Sequence, residues 1–131
     1  MESDIQTAAV SKKAFWIGWI ISILPVLVLL ISGAIKFVKP DGMEVEIKRL
    51  GWQMSQMTGL GILEIGCTII YLIPRTAVVG AILVTAYLGG ATATHVRIVD
   101  PFFTTVILGI LIWFGLWLRE PRLRSLIPLR S

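Results

Sequence analysis

Residues 54–73 read MSQMTGLGILEIGCTIIYLI, and after Pro74, Arg75 and Thr76 residues 77–94 read AVVGAILVTAYLGGATAT. Each run approaches the roughly 20 mainly apolar residues that carry a helix through about 30 Å of hydrocarbon at about 1.5 Å per residue. So short a joint, opened by a proline that cannot continue the preceding helix, forces the chain to reverse. The two runs are therefore expected as neighbouring antiparallel helices.

Working outward, two more apolar runs flank this pair, from about Ala14 to Ile35 and from about Phe102 to Leu118. His95 to Pro101 separates the third run from the fourth, and Pro101 suits the first turn of a following helix. Four runs with short connections predict an all-α protein, a transmembrane up-down four-helix bundle over residues 14–118. A polar N-terminal tail (1–13) and a basic C-terminal tail (119–131) flank it. Lys12 and Lys13 before an apolar run look like a signal peptide, but the run is too long for an h-region and no A-x-A-like site follows, so the segment is expected to stay as an anchor. The longer first connection holds its own element. Asp41 and Glu44 have the form of a capping box, Met43, Ile47 and Leu50 recur at helical spacing, Glu44 and Lys48 make an i,i+4 pair, and Gly51 suits the helix end. This reads as a short amphipathic helix on the membrane surface, although Val45, Glu46 and Ile47 also alternate as a strand would.

Composition agrees. Of 131 residues, 56% are hydrophobic and 15% charged, against about 25% charged in an ordinary soluble domain. The net charge of +4 lies beside the apolar runs and faces anionic headgroups; no nucleic-acid partner is implied. With four crossings, Lys12, Lys13, Arg75, Arg119, Arg122, Arg124 and Arg130 share one side, and Lys36, Lys39, Lys48, Arg49 and Arg97 the other. Seven against five places both termini in the cytoplasm. A lone Cys67 excludes dithiol chemistry within the chain, a lone His95 excludes bis-histidine haem ligation, and no cluster at metal spacing or phosphate-binding glycine loop is present. No intrinsic cofactor is implied.

Glu64 falls mid-run, where a carboxylate is costly and turns toward a partner, a cavity or the bundle interior. Cys67, Thr68 and Tyr71 follow at i+3, i+4 and i+7 and make one face semi-polar. Burial favours a neutral acid that donates a hydrogen bond, serving either as an interhelical tie or as a ligand-binding or proton-carrying group. Reversal at residues 74–76 sets Tyr87 opposite Glu64. Counting across the first connection sets Ser22 and Pro25 at the same depth, giving a mid-membrane site of Glu64, Tyr87, Thr68 and Ser22. His95 lies about 13 Å nearer the surface. With Arg97, Asp100, Gln53 and Gln56 it is expected to close the non-cytoplasmic end, as a solvated or capping group rather than a proton relay. Ala77, Ala81, Thr85, Gly89 and Ala93 form a line of small residues expected to be a helix contact. Trp52, Trp113 and Trp117 are expected as interface anchors or lipid-facing bulk.

Ser32 to Phe37 (SGAIKF), Gly61 to Gly66 (GILEIG) and Gly80 to Arg97 (GAILVTAYLGGATATHVR), in this order and spacing, resemble the DoxX-like family, and the resemblance covers residues 14 to 118. It implies a small four-helix protein of the bacterial inner membrane, an accessory or anchor subunit of a membrane oxidoreductase assembly with a membrane or peripheral protein partner. It also implies that Glu64 and His95 are family positions. A quinone or similar hydrophobic small molecule is the ligand compatible with this resemblance. The residues also leave open a small-molecule transporter or binding protein using Glu64, with His95 and Arg97 contributing, and a purely structural assembly module.

Overall fold

A computed structural model of the protein describes residues 11–126; the predicted N-terminal tail up to residue 10 and the last five residues of the basic C-terminal tail lie outside the described residues. Every element in that range is helical, and there is no strand among the described residues. Ser11 starts α1 (Lys12–Val38), its Oγ accepting from the Ala14 N–H at 3.1 Å, as N-cap chemistry requires. Then come α2 (Met43–Arg49), a 3-10 turn (Met54–Gln56) leading into α3 (Met57–Leu72), a second 3-10 turn (Pro74–Thr76) leading into α4 (Ala77–Arg97), α5 (Phe103–Arg119) and α6 (Pro121–Leu126). The stretches Lys12–Val38, Met54–Leu72 and Pro74–Arg97 are long and apolar enough to cross a membrane, and α5 is a shorter apolar helix of 17 residues.

The four long helices close a ring: α1 packs on α3 and α5, and α4 packs on the same two. Contacts between neighbours run antiparallel. Along α1 and α3, Gly33 lies against Gly61 and Ile65 while Ser22 meets Tyr71. Along α3 and α4, Tyr71 lies against Gly80 while Glu64 meets Tyr87. Along α4 and α5, the Trp113 Nε1–H donates to Thr85 at 2.6 Å while Thr92 and Thr105 share a bond at 2.7 Å. The interior is a column of Val26, Leu29, Tyr71, Ala81, Val84, Leu88, Ile112 and Leu116. The outer faces are apolar as well, with Trp16, Ile20, Ile31, Ile62, Val79 and Phe103 each more than half exposed. A chain that buries one apolar face and presents another on every long helix is matched to hydrocarbon as its surroundings.

Two sequence expectations change. The line of small residues is buried at Ala77 and Ala81 but exposed at Thr85, Gly89 and Ala93; the buried positions of α4 run Ala77, Gly80, Ala81, Val84 and Leu88. A spacing of four residues turns about 40° past a full helical turn at each step, so by Gly89 the line has rotated about 120° off the contact. The tight approach is at Gly80, where an added Cβ would overlap the backbone of Tyr71. At α2 the Asp41–Glu44 box does not form: the N-cap is Gly42, without a side-chain bond, and Arg49 pairs with Glu46. A reciprocal box instead joins Gln53 and Gln56 ahead of α3. Residues 45–47 are helical, with Ile47 turned inward and buried, which settles the strand alternative.

Candidate functional site

On α3 the i, i+3, i+4, i+7 face of Glu64, Cys67, Thr68 and Tyr71 is buried as the spacing predicts. Glu64 is 2% exposed, and its carboxylate gathers donors from two other helices. Oε1 accepts from Ser32 Oγ at 3.0 Å, Lys36 Nζ at 2.9 Å and Tyr87 Oη at 3.1 Å, while Oε2 is 3.4 Å from Lys36 Nζ. Lys36 also donates to Ser32 Oγ at 2.9 Å. Helical side chains lean toward the N-terminus of their helix. Lys36, two residues from the end of α1, therefore reaches back one turn into the bundle instead of out to the surface. The acid expected from sequence to be neutral thus has an ammonium beside it, and the arrangement is a charge-assisted ion pair with two hydroxyl donors.

Tyr87 stands where the hairpin register sets it. Ser22 does not. The sequence reading ends the first helix at 35 and starts the next at 54, which sets Glu64 opposite Pro25. The helices actually reverse at Val38 and Met57. Glu64 is seven residues past the start of α3, and seven residues before the end of α1 is Ile31, adjacent to Ser32. The missed turn of helix displaces Ser22 toward the other end of the bundle. Thr68 faces the interior but donates to its own helix, at the Glu64 carbonyl, at 2.7 Å.

Ser22 belongs to a second buried cluster. Its Oγ donates to the Gly18 carbonyl at 2.8 Å and accepts from Arg119 Nε at 3.2 Å. Tyr71 donates to the Ile112 carbonyl at 2.7 Å and stands 3.0 Å from Ser22 Oγ. Gly115 makes room for this meeting, because a Cβ there would overlap Ser22. The Arg119 guanidinium lies 4.0 Å over the Trp19 ring and 5.1 Å over that of Tyr71.

His95 and Arg97 are at the opposite end and apart from Glu64. The His95 Nδ1 contacts the Ala91 carbonyl of its own helix at 2.8 Å, and Arg97 donates to the Leu50 carbonyl at 2.8 Å. Of the residues expected to close this end, Arg97 and Asp100 do tie it, and the partner that sequence did not supply is Arg49, which grips both Asp100 oxygens at 2.9 Å and also holds Glu46. The Arg49 hydrogen bonds hold the Asp100 and Glu46 carboxyls below the usual carboxylate range, and those two acids raise the guanidinium in turn. Gln53 and Gln56 bond to each other. Sequence reasoning missed Ser32, Lys36, Arg119 and Arg49. For the first two the available signal was their i,i+4 spacing, facing Glu64 once α1 is continued past Ile35.

A cleft of about 450 Å³ opens between α4 and α5, lined chiefly by Leu88, Gly89, Val106, Gly109, Ile110 and Trp113. It contains none of the Glu64 partners. Among the described residues no group of three His, Cys, Asp or Glu side chains is placed to hold a metal ion.

No curated protein and no solved structure matches this chain. The model of the DoxX-like family matches residues 20–118, a span that takes in the Glu64 cluster, Ser22, His95 and most of α5. With the greater part of the sequence covered, including all or most of each helix of the ring, this multi-pass membrane protein belongs to the DoxX-like family.

Proposed function

We propose that the protein is a four-crossing up-down bundle of the bacterial inner membrane with both termini cytoplasmic. In this reading it is an accessory or anchor subunit of a membrane oxidoreductase assembly that binds the polar head of a quinone or similar hydrophobic molecule. The observation that supports this is the Glu64–Lys36–Ser32–Tyr87 cluster, a charged and hydroxylated centre drawn from three helices of an otherwise apolar bundle. Intramembrane ionisable groups of this kind mark binding sites and proton paths. The donor set fits a quinone: the Lys36 ammonium, with three N–H donors, can turn one to a carbonyl oxygen, and Tyr87 can do the same only by releasing the proton it gives Glu64, between apolar helix faces, as ligand sites commonly do. Lys36 keeps 17% of its side chain exposed, and that side is the approach to the cluster. When bound, a quinone supplies paired electron and proton transfer; the chain supplies the donors that orient its head and the carboxylate that balances Lys36.

Purification of the wild type, Glu64→Gln and Lys36→Met from native membranes in mild detergent, with quantification of co-extracted quinone, tests this. The expected result is quinone retained by the wild type and reduced by about tenfold or more in both variants, the scale of one lost charge-assisted bond, with the helical content of Glu64→Gln unchanged. Equal retention in all three overturns the ligand reading.

A structural reading has its own support: three donors already crowd Oε1, and the Glu64 side chain is 1% exposed. On that reading the cluster ties α1, α3 and α4 together. Glu64→Leu then lowers thermal stability, and no variant changes the extracted small molecules.

A further inference from the structure

Arg119 Nη2 is the one buried side-chain polar atom without a hydrogen-bond partner among the described residues. The residue is 7% exposed, and the one side-chain hydrogen bond it makes among the described residues runs from Nε to Ser22 at 3.2 Å. The ion pairs among the described residues are made by Lys36 and Arg49, and none reaches Arg119. Glu120, next in sequence, turns its Oε1 to the Arg122 N–H at 3.1 Å. A guanidinium is a permanent cation, and burying it without an anion is strongly unfavourable. Among the described residues the cation has a hydroxyl and two aromatic rings around it but no counter-charge.

The position says what supplies it. Arg119 lies beside Gly18, about six residues or roughly 9 Å inside the start of α1, at a level marked by the exposed Trp16 and the half-buried Trp19. This aromatic belt is characteristic of headgroup depth. Lys12, Lys13, Arg75, Arg122 and Arg124 share that end of the bundle, with Glu120 as the one acid there among the described residues. The guanidinium carbon lies over the Trp19 and Tyr71 rings, and Nε is engaged by Ser22, so the Nη1–Nη2 edge is the part left for a ligand.

We propose that this edge binds the phosphate of an anionic phospholipid in the leaflet at the α5–α6 end of the bundle. A phosphodiester brings one negative charge and two oxygens that match the guanidinium fork, and phosphate contacts of this type are the ones Arg makes best. The lipid's acyl chains lie along the apolar outer faces, and the surrounding basic residues favour a headgroup with net negative charge. Because Nη2 is covered in the unliganded chain, occupancy moves the side chains that cover it. The inference rests on the membrane-bundle reading and not on any ligand at Glu64.

The test is native mass spectrometry and thermal unfolding of the full chain in detergent. Phosphatidylglycerol, phosphatidylcholine or inorganic phosphate is added to the wild type, Arg119→Met, Arg119→Lys and the exposed control Arg122→Gln. The wild type is expected to retain phosphatidylglycerol about tenfold more tightly than phosphatidylcholine. Arg119→Met is expected to lose that preference, Arg119→Lys to keep part of it, and Arg122→Gln to change it by about twofold or less, since exposed charges count for little. Wild type without preference between the two lipids and without response to phosphate overturns the proposal, as does full affinity in both Arg119 variants. Stabilisation by inorganic phosphate that also displaces lipid assigns the site to the free ion and overturns the lipid assignment. If Arg119→Met does not fold, the lipid selectivity of the wild type and its weakening in Arg119→Lys decide the matter. Lost lipid selectivity with quinone retention intact separates a failure here from a failure at Glu64.

Discussion

The pairing of Lys36 with Glu64 carries the most consequence of any single contact, because each group is expensive inside a bilayer without the other. Removing the carboxylate in Glu64→Leu strands the ammonium. The expected loss lies between the ~1 kcal/mol of an interhelical hydrogen bond and the ~3–5 kcal/mol of a broken buried pair, and is read from reversible unfolding in detergent. Glu64→Gln keeps acceptors for Ser32, Tyr87 and Lys36 but leaves the ammonium without its counter-charge, so its loss is expected to be smaller than that of Glu64→Leu though not nil. A double-mutant cycle is more specific: Lys36→Met is expected to cost less on the Glu64→Gln background than on the wild type, with coupling of ~0.5 kcal/mol or more. Additive losses show that the 2.9 Å contact is not an energetic pair. Glu64 itself was legible from sequence, since a lone acid in an apolar run has few destinations, and Tyr87 followed from the hairpin count. Lys36 was not, because at a segment end a lysine ordinarily snorkels outward, and only the extra turn of α1 brings it back over Ser32. Ser22 was misplaced by that same turn.

Between elements, packing is decided where backbones touch. Gly80→Val on α4 drives a branched side chain into the Tyr71 backbone and is expected to cost ~1–3 kcal/mol or more. Gly89→Ala, with open space around its Cβ, is expected to leave stability unchanged or slightly raised. Thermal unfolding of the two side by side separates them, and equal losses contradict the close α3–α4 contact. At the opposite end, Arg49 fastens α2 to the loop after α4 through Asp100. Both acids titrate below their ordinary values in the folded chain. The fastening is therefore complete above roughly pH 4, the ordinary carboxylate range, and is lost as pH falls through the lowered folded values. Hydrogen exchange over residues 43–50 and 95–100 is expected to rise at low pH and with added salt. Asp100→Asn should reproduce the rise at neutral pH, whereas His95→Ala, which removes a contact within one helix, leaves it nearly unchanged. The elements themselves were legible because apolar length and the proline joint leave few alternatives. Which residues cap α2 and which close this end were not, because Asp41, Glu44, Gln53, Gln56, Arg97 and Asp100 offer comparable bonding and the loop's path selects among them.

For the whole molecule the question is whether α5 crosses the membrane. Its 17 residues span about 25 Å, a few ångströms short of a typical hydrocarbon core, a mismatch that local thinning or reduced tilt accommodates. The ring favours crossing, since α5 lies between α1 and α4 with Leu108, Ile112 and Leu116 buried against them. The family match extends through Leu118 and so includes the helix. Topology is most directly measured by labelling with a membrane-impermeant maleimide in a Cys67→Ala background, with single cysteines introduced as Ser11→Cys, Pro40→Cys and Ser125→Cys. The four-crossing bundle predicts that positions 11 and 125 are labelled from the cytoplasmic side and position 40 from the other. Positions 11 and 125 labelled from opposite sides would contradict it and leave α5 on the membrane surface.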